Sequence, residues 1–270
     1  MPANPELPDR RFALLLLSVF LFLLAARATR AQGGPPLLTN DPGTPGNGNW
    51  EINLGVMPVL RHDVNQYQLP QLDINFGLGD RIQLTAEVPF IVQTVPGQAR
   101  ETGWGNTFAG VKWRFFQDEK SGWQISTFPQ FQATGPPRSV KNGVAEGSSR
   151  VFLPIEITKA FSKIDLNFEV GYFFAWDSHP ERILGFAAGH QFTPRLELIG
   201  EVYNDRVLGA LPHDTTFDAG GRFRLGKGFI LLFMAGRSFS SNTSGQPNFL
   251  GYLGLQILLK DYGKRLQDAP

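Results

Sequence analysis

Between residues 49 and 259 apolar side chains recur on every second position, stretch after stretch, and no long window shows helical spacing. A β-strand sends successive side chains to opposite faces, so this period marks strands with one apolar and one polar face. In "RIQLTAEVPF", Ile82, Leu84, Ala86, Val88 and Phe90 share one face, while Arg81, Gln83, Thr85 and Glu87 share the other. "NTFAGVKWRFF", "IDLNFEVGYFF" and "TFDAGGRFRL" repeat the pattern. About twelve strands are expected on this reading, near 49–60, 66–77, 81–93, 104–116, 122–134, 150–160, 163–175, 183–192, 195–204, 215–225, 229–239 and 248–259.

The connections alternate in length. "LGD", "QDEKS", "FS", "TP" and "GKG" are short, whereas "RHDVN", "TVPGQARETG", "GPPRSVKNGVAEGSS", "AWDSHPE", "DRVLGALPHD" and "SSNTSGQPN" are longer and polar. In an up-and-down antiparallel barrel, odd and even connections lie on opposite rims. Outer-membrane barrels have short periplasmic turns and longer outer loops, and an even strand count leaves both termini on the periplasmic side.

A soluble β-sandwich would show the same alternation with its faces exchanged. Two features favour a barrel in lipid. The polar faces carry mid-strand charges of both signs, Glu87, Glu156, Glu169, Glu197 and Glu201 against Lys112, Arg114, Arg222 and Arg224, which can neutralise one another across a closed bore. The apolar faces carry Trp50, Phe90, Trp104, Trp113, Phe115, Trp123, Tyr172 and Trp176 near strand ends, as interfacial aromatic girdles do. The expected fold is therefore all-β: an antiparallel, up-and-down transmembrane β-barrel of about twelve strands with both termini periplasmic.

The ends of the chain fit export. Arg10 and Arg11 precede "FALLLLSVFLFLLAA", and small residues follow, with cleavage expected after Ala28 or Ala31. Residues 1–31 read as a cleaved signal peptide, 32–48 as a flexible periplasmic leader too rich in Pro and Gly to pack, 49–259 as the barrel and 260–270 as a polar tail. There is no cysteine, which excludes disulfides and thiolate metal sites, and a net charge of +1 without a basic stripe argues against nucleic acid.

The stretches "LLTNDPGTPGNGNWEIN", "AEVPF" and "GWGNTFAGVKWRFF" resemble a family of bacterial outer-membrane β-barrels described as transporter-like, some of them linked to the meta-cleavage pathway of phenol degradation. The likeness spans most of the mature chain and implies an outer-membrane channel or transporter with no catalytic residues and no cofactor. Small aromatic or hydrophobic solutes are implied only by that operon-derived name. The chain departs from the general outer-membrane pattern at its end, where "FLGYLGLQILL" is followed by "KDYGKRLQDAP" rather than closing on an aromatic residue. Partners expected of such a barrel are outer-membrane lipids and, during biogenesis, the barrel-assembly machinery.

Other chemistry is weakly supported. His62, His179 and His213 fall in long loops, where scattered histidines are usually solvated, so no metal is expected. A lipid hydrolase would need a Ser–His pair at the outer bilayer boundary, whereas His190 precedes a short turn at the opposite end. The mid-strand charges are either a network that stiffens a narrow barrel or a constriction that selects solutes. Glu87 is placed to meet a base from the neighbouring strand, Lys112 or Arg114, and Glu197 and Glu201 lie one strand from Arg222 and Arg224. Loop 135–149 either folds inward to narrow the pore or extends outward. The function expected is passage of small molecules, against a closed structural or surface-display barrel and, more distantly, an outer-membrane lipid hydrolase.

Overall fold

A computed structural model describes residues 34–176, 179–209, 214–239 and 245–260. The signal peptide, residues 261–270 of the C-terminal tail and His213 lie outside these residues. Fourteen strands form one antiparallel sheet: β1 (Trp50–Leu60), β2 (Asn65–Leu78), β3 (Ile82–Thr94), β4 (Glu101–Trp104), β5 (Phe108–Asp118), β6 (Trp123–Thr127), β7 (Gln130–Gln132), β8 (Arg150–Ala160), β9 (Ile164–Ala175), β10 (Glu181–Gln191), β11 (Leu196–Val207), β12 (Asp214–Gly226), β13 (Phe229–Ser238) and β14 (Phe249–Leu259). Strand β1 pairs with both β2 and β14, from Trp50 opposite Leu259 to Leu60 opposite Phe249, so the sheet closes. Closure satisfies every edge, as a sheet facing lipid requires.

The sheet has twelve staves, because two expected strands are interrupted. The stretch 104–116 is split into β4 and β5, which pair with the outer and inner halves of β3. The stretch 122–134 is split into β6 and β7, both between β5 and β8. Prolines explain the breaks. Pro129 has no amide to donate, so the chain passes Phe128 and Pro129 without regular pairing while the Val111 amide donates to the Pro129 carbonyl. Likewise Gly105 donates to the Pro89 carbonyl between the two halves of the β3 pairing.

The faces sort as the alternation requires. Leu54, Leu84, Val111, Trp113, Ile155, Phe168, Phe186, Val202, Phe217 and Leu253 are exposed on the outside, while Asn53, Gln124, Glu156, Glu169, Glu201 and Gln256 are buried inside. This polar-in, apolar-out arrangement belongs to a barrel surrounded by hydrocarbon. The short turns gather on one rim, where Gly79, Gly122 and Gly228 take positive φ, a conformation costly for residues with a Cβ. By the length rule that rim is periplasmic.

The lumen is not uniformly polar. Along β13, β14 and β1 the inward side chains Val59, Ile230, Leu232, Met234, Leu250 and Tyr252 form an apolar cluster. The Tyr252 ring lies across Gly55 and Gly254, where a Cβ would collide with it.

The largest departure from the sequence reading is the leader. Residues 34–48 are not a flexible segment in the periplasm; they turn back from β1 into the lumen and pack there. Pro36, Thr39 and Pro42 are fully buried, and Leu37 packs with Ala187 and Ile199 on the wall. Pro and Gly break regular packing, which is the ground for expecting a flexible segment here. Prolines also restrict the unfolded chain, so a segment holding Pro35, Pro36, Pro42 and Pro45 loses less entropy when ordered.

Loop 135–149 folds inward. It contains the short helix α1 (Pro137–Lys141) and lies against the inner face of β4. Gly103 is in close contact with Ser139 and Val144, both buried, and Asn142 Nδ2 donates to Glu101 Oε2 at 2.6 Å. Asn106 Nδ2 holds the loop at its base through the carbonyls of Ala133 (2.8 Å) and Glu146 (3.0 Å).

Candidate functional site: a lumen occupied by the leader

The leader is held by its backbone. Glu201 in β11 accepts the amides of Leu38 (Oε2, 3.0 Å) and Thr39 (Oε1, 2.5 Å). Glu169 in β9 accepts the Asn40 amide at 2.9 Å and its side-chain amide at 3.2 Å. On the other side Lys112 in β5 donates to the Asp41 carbonyl at 2.5 Å. Two carboxylates and one ammonium thus clamp four consecutive residues. Amides meeting a carboxylate in a low-dielectric site form hydrogen bonds about twice as strong as neutral ones.

Two glycines make room for the leader. A Cβ at Gly185 would overlap the Thr39 side chain, and one at Gly77 would overlap the Gly46 carbonyl. Nearer the periplasmic rim Gly48 donates to the Gly77 carbonyl (2.9 Å), and Thr44 Oγ1 donates to that of Asp80 (2.9 Å).

The leader separates two spaces. One cavity, of about 310 Å³, lies beside Leu38, Asn40 and Asp41 and is lined by Phe108, Phe128, Phe152, Phe173 and Tyr252 together with Glu51, Asp73 and Glu87. Phe152 and Phe173 stack at 4.3 Å, with the Arg150 guanidinium 4.3 Å above the Phe173 ring. The second cavity, of about 630 Å³, opens between Thr44–Gly46 and the turn residues Asp80 and Arg81, with Arg114 on its wall. Asp41 and Gly43 border both, so this part of the leader is the partition.

The nine charged residues singled out in the sequence divide into groups. Lys112, Glu156, Glu169 and Glu201 surround the leader. Lys112 also lies 3.6 Å from the fully buried Glu156, whose Oε2 accepts the Ser126 hydroxyl at 2.5 Å. Glu197 pairs with Arg222 at 3.3 Å across β11 and β12, as the spacing suggested. Arg114 donates to the Asp80 carbonyl (2.5 Å) and to Gln124 (3.3 Å).

Three expectations fail on register. Glu87 sits opposite Phe108, not beside Lys112 or Arg114; it accepts from Gln71 Nε2 at 3.0 Å and lies across from Asp73. Glu201 sits opposite Asp218 rather than a base, and what it holds is the leader. Arg224 is exposed at the short-turn rim, where the pairing slips between it and Gly226, so it does not line the bore.

Beside these charges lies a network of amide and hydroxyl side chains gathered around Asp73. Asp73 accepts from Asn53 (2.9 Å) and Asn75 (3.0 Å), and Asn75 in turn accepts from Gln83 (2.7 Å) and Thr85 (2.6 Å). The signal was present, since Asn53, Asp73, Asn75 and Gln83 all fall on the polar parity of their strands.

His190 faces outward between Ile164 and Leu198 at the short-turn end, with its ring edge-on to Phe192 at 4.5 Å. His62 and His179 are exposed. Among the described residues no group of three His, Cys, Asp or Glu is arranged to hold a metal ion.

No protein-family model matches the chain, and no curated protein is similar to it. Solved structures are similar in fold. An outer membrane channel from Pseudomonas putida F1 superposes with a TM-score of 0.69 at 12% identity, over 84% of this chain and all of that one. The KdgM porin in complex with disordered oligogalacturonate gives 0.53 at 9% identity, over 76% and 98%. The NanC porin gives 0.50 at 8% identity, over 78% and 99%. With its apolar exterior and largely polar interior, the chain shares with these structures the fold of an antiparallel, twelve-stave transmembrane β-barrel.

Proposed function

We propose that the chain is an outer-membrane channel for small molecules whose own leader obstructs the path. The observation that carries this reading is the partition at Asp41 and Gly43, with a cavity on either side. The leader is held by a few hydrogen bonds and by packing of Leu37 and Leu38, a displaceable set rather than a continuation of the sheet. The fold shared with a channel and two porins supports the same role.

The lining supports small aromatic or otherwise apolar solutes with one polar group. Phe108, Phe128, Phe152, Phe173 and Tyr252 offer ring faces, and Glu87, Asp73 and Gln71 on the same lining offer acceptors and donors. Passage needs no nucleophile, only a lined route whose polarity sets what enters.

The test is conductance in planar bilayers, and flux of a small phenol into proteoliposomes, for the intact chain and for one lacking residues 34–45. The shortened chain should conduct more and admit the phenol faster. If neither form conducts or admits solute, the barrel is a closed structural or display element.

A further inference from the structure

Outward charged side chains are few among the described strand residues, and at the outer end of β10 to β13 they share one sign. Arg182 in β10 sits directly opposite Arg206 in β11. Both belong to the parity of Leu184, Phe186 and Val202, which faces lipid. Arg182 lies opposite the outward Tyr172 of β9, and Arg237 of β13, opposite Phe217, adds a third guanidinium to the same face.

Two like charges facing each other across a strand pair repel, so this placement is unfavourable in isolation. The carboxylates of these strands do not relieve it. Glu181 and Asp205 alternate to the inside, where Glu181 holds Arg150 at 2.9 Å. Among the described residues, none of the outward positions of β9 to β14 is Asp or Glu. The contact recorded for the Arg182 guanidinium is the neutral Asn204 amide oxygen, at 3.1 Å. The Nε atoms of Arg182 and Arg206 are both buried without a hydrogen-bond partner.

Height narrows the partner. Strand β10 begins at Glu181 and β11 ends at Val207, both at long-loop connections, so the arginine pair sits at the outer interface. Beneath it, past Asn204 opposite Leu184, run Leu184, Phe186 and Val202, an apolar stretch of the lipid-facing surface. A ligand that fits carries a doubly charged anion above acyl chains. A guanidinium matches phosphate bidentately, and two of them can share one group.

We propose that Arg182 and Arg206 form a binding site for the phosphate of a phosphorylated outer-leaflet glycolipid, with its acyl chains on Leu184, Phe186 and Val202. The anion removes the repulsion between the two arginines and fixes the barrel's height in the membrane. This inference rests on the exterior of the barrel and holds whether or not the lumen conducts.

The test is native mass spectrometry of the purified full chain with bis-phosphorylated lipid A and with its chemically dephosphorylated form. The phosphorylated lipid should bind with one-to-one stoichiometry and the dephosphorylated form should not. Arg182→Ala/Arg206→Ala should weaken binding by about tenfold or more, as the loss of charge-assisted bonds predicts. Arg182→Lys/Arg206→Lys should retain part of it, and Lys227→Ala, in a periplasmic turn, all of it. Heat-modifiable migration on a gel certifies folding, and the single variant Arg206→Gln serves if the double variant does not fold. Equal binding of both lipids, or undiminished binding by the folded arginine variants, overturns the proposal. So does displacement of the lipid by millimolar inorganic phosphate, which would mark a free-phosphate site.

Discussion

The carboxylate of Glu201, far along the chain in β11, accepts the backbone amide of Thr39 at 2.5 Å, a contact that spans 162 residues of sequence. A wall residue thus holds the leader by its main chain, so the hold does not depend on which side chain stands at position 39.

Replacing Glu201 by Ala should loosen the leader. Two amides lose a charged acceptor, each such bond being worth about 1.5–3 kcal/mol. The fraction of time the path is open should rise about tenfold or more, since each 1.4 kcal/mol is about a factor of ten. Single-channel recording checks this; an unchanged open fraction would mean that the leader is held elsewhere.

Gly185→Val should expel Thr39 by steric overlap rather than by loss of attraction. The chain has no cysteine, so a single Thr39→Cys reports directly. In the parent barrel, where Thr39 is fully buried, a water-soluble maleimide should label it slowly. Adding Gly185→Val should bring labelling toward the rate of an exposed residue, whereas protection in both would show that the wall yields instead.

Lys112→Met leaves Glu156 buried without its neighbouring cation. Breaking a buried pair from one side costs about 3–5 kcal/mol, and removing the second charge as well recovers much of it. The single variant should therefore unfold at clearly lower urea than the parent in detergent, and Lys112→Met/Glu156→Gln should return most of the way. Equal midpoints for the single and double variants would show that the pair is not coupled.

Current through the lumen should favour cations. The cavity carries Glu51, Asp73 and Glu87, and Lys112 is already engaged by Asp41 and Glu156. Glu87→Gln should move the reversal potential in a salt gradient toward zero, while Arg224→Gln, at the exposed rim, should leave it in place. The opposite ranking would remove Glu87 from the path.

The staves were legible because alternation survives any tertiary context: Ile82, Leu84 and Phe90 need only face one solvent and Gln83 and Glu87 another. The two interruptions were signalled only by Pro89 and Pro129, whose missing amides matter once it is known which neighbour lacks a donor. Strand order identifies the right neighbour for Glu87 but not the register, which puts Phe108 of β5 opposite it rather than Lys112 or Arg114 of the same strand. The packed leader was hardest to see. Its aliphatic side chains are two, Leu37 and Leu38, its other buried apolar groups are prolines, and much of its grip is main-chain hydrogen bonding, which leaves no trace in side-chain pattern.

The leader joins β1 directly, and β1 is one side of the seam with β14. The obstruction is therefore a tethered ligand: once displaced it stays beside its own binding site. A short flexible tether holds such a group at an effective concentration on the order of millimolar, whatever the abundance of the protein. In the proposed channel, closure would then follow first-order kinetics and a solute would compete with an inhibitor that cannot be diluted away, so that each opening would be brief and each barrel would reset itself alone.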